Sequence, residues 1–368
     1  MLCLLEEEIS PAWKEDTDMT YETKKRNSSI ELLRILMMIL IIFHHYCYHG
    51  LEESSEFCIA SIPVYQRVIV QLLHSGGIIA NNVFSLISGY YLIANKANNR
   101  RKIQNILLEY LIYVGAISII TYVICHNPRR MIDGITSPWI GGNWYISVYI
   151  ILLIFAPAIN ECVEHLTHDQ AKLMIRLLIV FGYILPCIKL YTGFNVNCSF
   201  EGMLIMYLIG GYIRKYGFDF IPNRIIRFGI NKLIISIIII QVFVYLMIDV
   251  YADFIQNGSL NSSIMNITFL TWGGVVPIFI FAVFNNMPAF NNSIINNISK
   301  SMIAIYIIHD NPIIRPMIWH GISDNLNYIG TNMFIAHMIG KCILIFISCL
   351  FIDQAKQFVL CLIKERKI

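Results

Sequence analysis

Charge is scarce in this chain of 368 residues. Asp, Glu, Lys and Arg together make up 14% of it, against roughly 25% in an ordinary soluble domain. A folded surface needs polar side chains to face water, so this scarcity excludes a simple cytosolic globular enzyme. It also excludes a disordered chain, which is poor in apolar residues. A formal net charge of +3 is too small for a nucleic-acid partner. The ten cysteines form no CxxC pair, so no metal framework or disulfide set is expected; most lie in apolar runs, where free Cys packs as a small hydrophobe. A GxSxG elbow is missing, which leaves no case for a serine nucleophile. No internal repeat is visible. The start MLCLL is too short an apolar run for a signal peptide and is followed by acids. Residues 1–27 read as a disordered cytoplasmic tail.

What is abundant is apolar. Hydrophobic residues make up 57% of the chain. A spanning helix needs roughly 20 mostly apolar residues, because the hydrocarbon core is about 30 Å thick. That rule predicts an all-α, polytopic membrane protein of about ten transmembrane helices. The spans are placed near 29–49, 72–94, 104–125, 143–160, 171–189, 199–213, 233–250, 265–285, 299–318 and 332–352. The membrane domain is 28–360, and 361–368 is a second cytoplasmic tail. Of the 27 Lys and Arg residues, 19 fall on the side of the termini, 5 on the other side and 3 within spans. The positive-inside rule then puts both termini in the cytoplasm of a plasma-membrane protein.

The first span carries ionisable residues. Glu31, Arg34, His44, His45 and His49 lie in it or at its edge. Such residues are costly in hydrocarbon and face a bundle interior or a polar cavity. Arg34 and His45 are 11 positions apart, close to three whole turns, so they share a face about 16 Å apart along the axis. Glu31 and His49 extend that stripe, while His44 points about 100° away. Arg34 either snorkels to the inner headgroups or lines a shared cavity. His45 is either a core histidine or a general base, since neutral imidazole takes a proton from a hydroxyl near pH 7. In the ninth span His309, Asp310, Asn311 and Arg315 accompany Pro312 and Pro316; a cavity role and structural hydrogen bonding both remain open there. Glu109, His337 and Lys341 read as interhelical pairs. Ser85 and Ser88 suit helix packing. Trp139, Trp144 and Tyr145 suit an interfacial anchor or a sugar-stacking surface.

Arg34, ten residues, then His45 resembles the first-helix signature of the acyltransferase-3 family of integral membrane acyltransferases. Four further stretches are similar to that family in order: VFSLISGYYLI (83–93), WYISVYIILLIFAPAIN (144–160), MYLIGGYIRKYG (206–217) and ISKSMIAIYIIHDNPIIRPMIW (298–319). The last resembles bacterial polysaccharide O-acetyltransferase members. The resemblance implies a ten-helix fold, cytoplasmic acetyl-CoA as acyl donor and a glycan hydroxyl as acceptor. His45 and Arg34 would be catalytic. Arg34, Arg100, Arg101 and Lys102 would hold the CoA phosphates, and Ser88, Trp144, His309 and Arg315 would contact substrate. One departure stands out: the R-x-x-R spacing of many members is absent, since Ile103 follows Arg100 and Gln104 follows Arg101 by three. The rival class is a secondary transporter, which also places charge at bilayer depth but is expected to show inverted repeats and paired broken helices. Oligomeric state is left open.

Overall fold

The computed structural model describes residues 27–94, 99–125, 132, 143–185, 199–222, 224, 229–255 and 273–365. Among these residues the chain is helical with no strand. The helices are α1 (Ser28–Cys47), α2 (Val64–Leu92), α3 (Arg100–Cys125), α4 (Trp144–Glu164), α5 (His168–Ile179), α6 (Phe200–Tyr216), α7 (Ile230–Ile255), α8 (Gly273–Asn285), α9 (Ser293–Ser299), α10 (Met302–His309) and α11 (Phe334–Glu365). Six described helices, α1, α2, α3, α4, α7 and α11, are long and apolar enough to cross a membrane. The protein is an all-α polytopic membrane protein.

The remaining expected spans take other forms. α5 runs into a π turn at Val180–Ile184, and α6 and α8 are shorter. The ninth expected span, 299–318, is not a continuous helix. α10 stops at His309, the chain turns through 310–314, and a short helical segment at 315–316 runs into a π turn at Met317–Gly321. Pro312 and Pro316 account for the break, because proline lacks the N–H of the helical ladder and its ring clashes with the carbonyl one turn back. Trp139 lies outside the described residues.

Interior packing is closest where α2 meets α6. A Cβ on Gly89 would collide with the Tyr207 backbone carbonyl, and one on Gly210 with that of Leu86. The two glycines therefore let the backbones touch, as small residues do between membrane helices. They belong to the SGYY and IGGY stretches, which gives those motifs a packing role. Pro157 sits inside α4 and leaves the Leu153 carbonyl without its helical donor. Asn99 Nδ2 fills the gap at 3.0 Å. Asn160, three residues on, donates to the Leu92 carbonyl at the end of α2 (2.7 Å) and accepts from the Tyr207 hydroxyl (2.8 Å). The P-x-x-N stretch thus clamps α4 to α2 and α6.

Several charged side chains in the described spans are paired. Lys356 on α11 meets Glu109 of α3 at 3.1 Å and Asp353 at 2.7 Å, and the Tyr113 hydroxyl donates to Asp353. Arg67 on α2 meets Asp253 of α7 at 2.6 Å, and Gln71 donates to Asp249 at 3.0 Å. Lys341 does not pair with its helical neighbour His337. Its ammonium donates to the Ser323 carbonyl and to Asn325 Oδ1, both at 2.7 Å, and so fastens the segment after the broken helix. His337 bonds the Tyr46 hydroxyl at 2.8 Å.

Gly210→Ala must push two backbones apart, and overpacking of this kind costs about 1–3 kcal/mol. Gly115→Ala in α3 meets no atom within 4 Å and gains helix propensity. Thermal unfolding of the detergent-solubilised protein should show a lowered midpoint for Gly210→Ala and an unchanged or raised one for Gly115→Ala. Equal midpoints would remove the backbone contact as a packing constraint.

Candidate active site

α1 is capped by Asn27, whose side chain accepts from the Ser29 N–H at 3.2 Å. The helix continues as a π turn at Tyr48–Glu52. His45 and His49 are both buried, on the side facing the end of α10. His44 turns elsewhere. Its Nδ1 lies 2.6 Å from the His74 carbonyl of α2, to which it donates, and its ring stacks on Tyr48.

His45 Nδ1 lies 2.9 Å from His309 Nε2, a ring nitrogen of α10. His309 Nδ1 lies 2.6 Å from the Ile305 carbonyl. A carbonyl only accepts, so His309 carries its proton on Nδ1 and presents the lone pair of Nε2. His45 must then donate from Nδ1, which leaves its own Nε2 unprotonated. This is the tautomer a general base needs, and His309 is what selects it. His309 has no exposed surface.

Asp310 is the hub of the outer part of the site. Its Oδ1 lies 2.8 Å from Arg315 Nη2, 3.3 Å from His49 Nε2 and 3.9 Å from His45 Nδ1. Its backbone carbonyl, freed by the helix break, accepts from Arg315 at 3.1 Å and from Asn143 at 3.3 Å. Arg315 therefore points inward onto Asp310. On its other nitrogen His49 meets Glu53 at 2.7 Å. That hydrogen bond from His49 holds the Glu53 carboxyl below its ordinary range, and 44% of the Glu53 side chain is exposed. Donor atoms of His45, His49 and Asp310 lie within 4.8 Å of one another, close enough for a metal. The guanidinium of Arg315 already stands on the shared Asp310 oxygen, however, and His45 Nδ1 is engaged by His309. The cation on the shared oxygen and the His45–His309 bond therefore compete with an ion at these donors.

At the far end of α1, Arg34 Nη1 meets both oxygens of Glu31 at 3.1 Å. Its guanidinium lies 6.0 Å from the Tyr91 ring. Of the three basic residues that open α3, Arg100 and Arg101 are exposed, while Lys102 is half-buried with its ammonium 5.4 Å from the Tyr149 ring. Ser88 donates to the Tyr149 hydroxyl at 3.2 Å and to the Phe84 carbonyl at 2.9 Å. Tyr149 stacks on Tyr145, Tyr145 meets Tyr306 edge-on, and Tyr306 meets His309, each pair with centroids about 6 Å apart. An aromatic column thus joins the Lys102 end to the histidine pair. Trp144 contacts Tyr145 and borders a small recess with Asn81 and Ser85. Sequence reasoning missed Tyr149 and Tyr306, because tyrosines on apolar helices look like packing residues; the only signal was their place within the WYISVY and IYIIH stretches.

The family model described as Acyltransferase domain matches residues 27–353. The chain belongs to this acyltransferase family. No curated protein and no solved structure matches it. The membrane acyltransferase therefore carries its paired histidines, its Arg34 end and its glycine-packed helices inside the matched region. Family membership also sets aside the transporter alternative.

A general base at His45 predicts that His45→Ala loses turnover by about 10²–10⁴-fold. His44→Ala removes a bond to a carbonyl on α2 and a stack on Tyr48, neither of which engages His45 Nε2, and should keep most of the activity. Acyl transfer, measured at matched protein levels, separates the two. Equal loss in both variants would refute the separation of the histidines by face.

Proposed function

We propose that this acyltransferase moves an acetyl group from acetyl-CoA, bound from the cytoplasm, to a hydroxyl of a surface polysaccharide or its lipid-linked precursor. The observation that carries the reading is the His45–His309–Ile305 chain, which leaves His45 Nε2 free to accept a proton. His45 deprotonates the acceptor hydroxyl as its oxygen attacks the thioester carbonyl, and CoA leaves as the thiolate. Arg34, with one nitrogen on Glu31, and Arg100, Arg101 and Lys102 supply cations for the CoA phosphates. The missing R-x-x-R spacing is met by Lys102, which turns towards the interior over Tyr149. Ser88, Trp144, His309 and Arg315 stand along or beside the aromatic column between donor and acceptor. The 19-to-5 distribution of Lys and Arg supports termini in the cytoplasm of a plasma-membrane protein.

Acetyl-CoA binding to the purified protein in detergent tests the donor site. Arg34→Ala should weaken binding more than Arg34→Lys, which keeps the charge but loses the planar fork. Neutralising Arg100, Arg101 and Lys102 together should raise KM for acetyl-CoA with a smaller change in kcat, because those contacts hold ground state and transition state alike. Equal affinity in wild type, Arg34→Ala and the triple variant would sink the proposed donor site.

A further inference from the structure

The site contains more titratable groups than acyl transfer uses. From buried His45 they run to the surface, with one gap of 3.9 Å at the first step. Asp310 Oδ1 is 3.9 Å from His45 and 3.3 Å from His49 Nε2, and His49 Nδ1 is 2.7 Å from Glu53. Exposure rises only at the last step, from 10%, 3% and 8% for the side chains of His45, Asp310 and His49 to 44% for Glu53. Glu53 lies beyond the end of α1 remote from Arg34, so the chain opens on the face opposite the proposed CoA site. The other charged or titratable groups packed here are His309 and Arg315 from the broken helix, and His44 on α1, whose ring is 5.3 Å from that of His45. His320, from the π turn, bonds the His49 carbonyl at 3.0 Å and meets Asp324 Oδ1 at 3.3 Å.

We propose that the proton taken from the acceptor hydroxyl leaves through Asp310, His49 and Glu53 to the outer face, so that each acyl transfer carries one proton across the membrane. The inference rests on the acyl-transfer reading above. The balance is as follows. The acceptor O–H bond breaks, its proton goes to His45 Nε2, and the oxygen forms the ester bond to the acyl carbon. The C–S bond breaks with its electron pair on sulfur, and the thiolate, a stronger base than water, takes a proton from cytoplasmic water. The charged His45 ring turns its Nδ1–H from His309 towards Asp310, closing the 3.9 Å gap, and gives up that proton while it keeps on Nε2 the one it took. Exchange of that proton with water restores the Nδ1–H form that meets His309 before the next cycle. Asp310 passes the proton to His49 as His49 gives one to Glu53, which releases it to water. Overall one acyl ester and one CoA thiol form, with a proton lost outside for each one gained inside.

Inside-out membrane vesicles from the producing cells test this, with respiration and ATP synthase inhibited and a pH dye trapped in the lumen. Acetyl-CoA is the added probe and the endogenous membrane pool is the acceptor. CoA thiol release is read in the same sample. Thiol release accompanied by lumen acidification, absent from vesicles without the protein, is the expected result. In His49→Gln the acidification per thiol should be lost while slowed thiol release persists. Glu53→Gln alters only the exposed end and should lower the same ratio even if His49→Gln does not accumulate. Thiol release with no acidification of the lumen would overturn the exit path and leave acyl transfer standing. An unchanged ratio in both variants would overturn it too. Absence of thiol release in the wild type would overturn the acyl-transfer reading, and this proposal with it.

Discussion

Hydrocarbon offers no hydrogen bonds, so a polar group at bilayer depth must find its partner in the protein. That constraint organises this molecule. The bond between His45 and His309 joins the first long helix to a helix that breaks immediately afterwards. The break frees the Asp310 carbonyl, and Arg315 and Asn143 answer it from either side. Helix interruption, buried acid and imidazole pair are thus one arrangement, each element satisfying what another leaves open.

The same rule explains features far from the site. Pro157 removes a donor from α4 and Asn99 supplies one. Asn160 takes a terminal carbonyl of α2 that no helical N–H can reach. Lys341 would be costly alone, and it collects oxygens from the segment after the broken helix. Where no polar group needs an answer, packing decides, as where Gly89 and Gly210 bring two backbones together. Motif residues without any chemistry of their own therefore hold the helices that carry the chemistry.

Much of the site was legible because helix geometry is periodic. An eleven-residue interval places Arg34 and His45 on one stripe, and the same arithmetic turns His44 away; in the structure His44 faces α2 while His45 faces α10. The proline pair near His309 marked an interrupted segment, although 299–318 was drawn as one span. Tyr149 and Tyr306 were not legible, since their apolar rings suit any buried helix face. Nor was the direction of Arg315, whose place on Asp310 is set by the turn after the helix break.

The sequence by itself determined the solvent of this protein, its helical class and the stripe of ionisable residues on α1, because apolar run length and 3.6-residue periodicity are local properties of a chain in a bilayer. Tertiary structure alone decided which groups meet. His309 lies 264 residues from His45, and only their contact selects the tautomer that frees a base. Asp310 stands beside Arg315 in the chain, and folding adds His49 and His45 to it. A proton's position depends on the acceptor at the other end of the hydrogen bond, and that acceptor arrives from another helix.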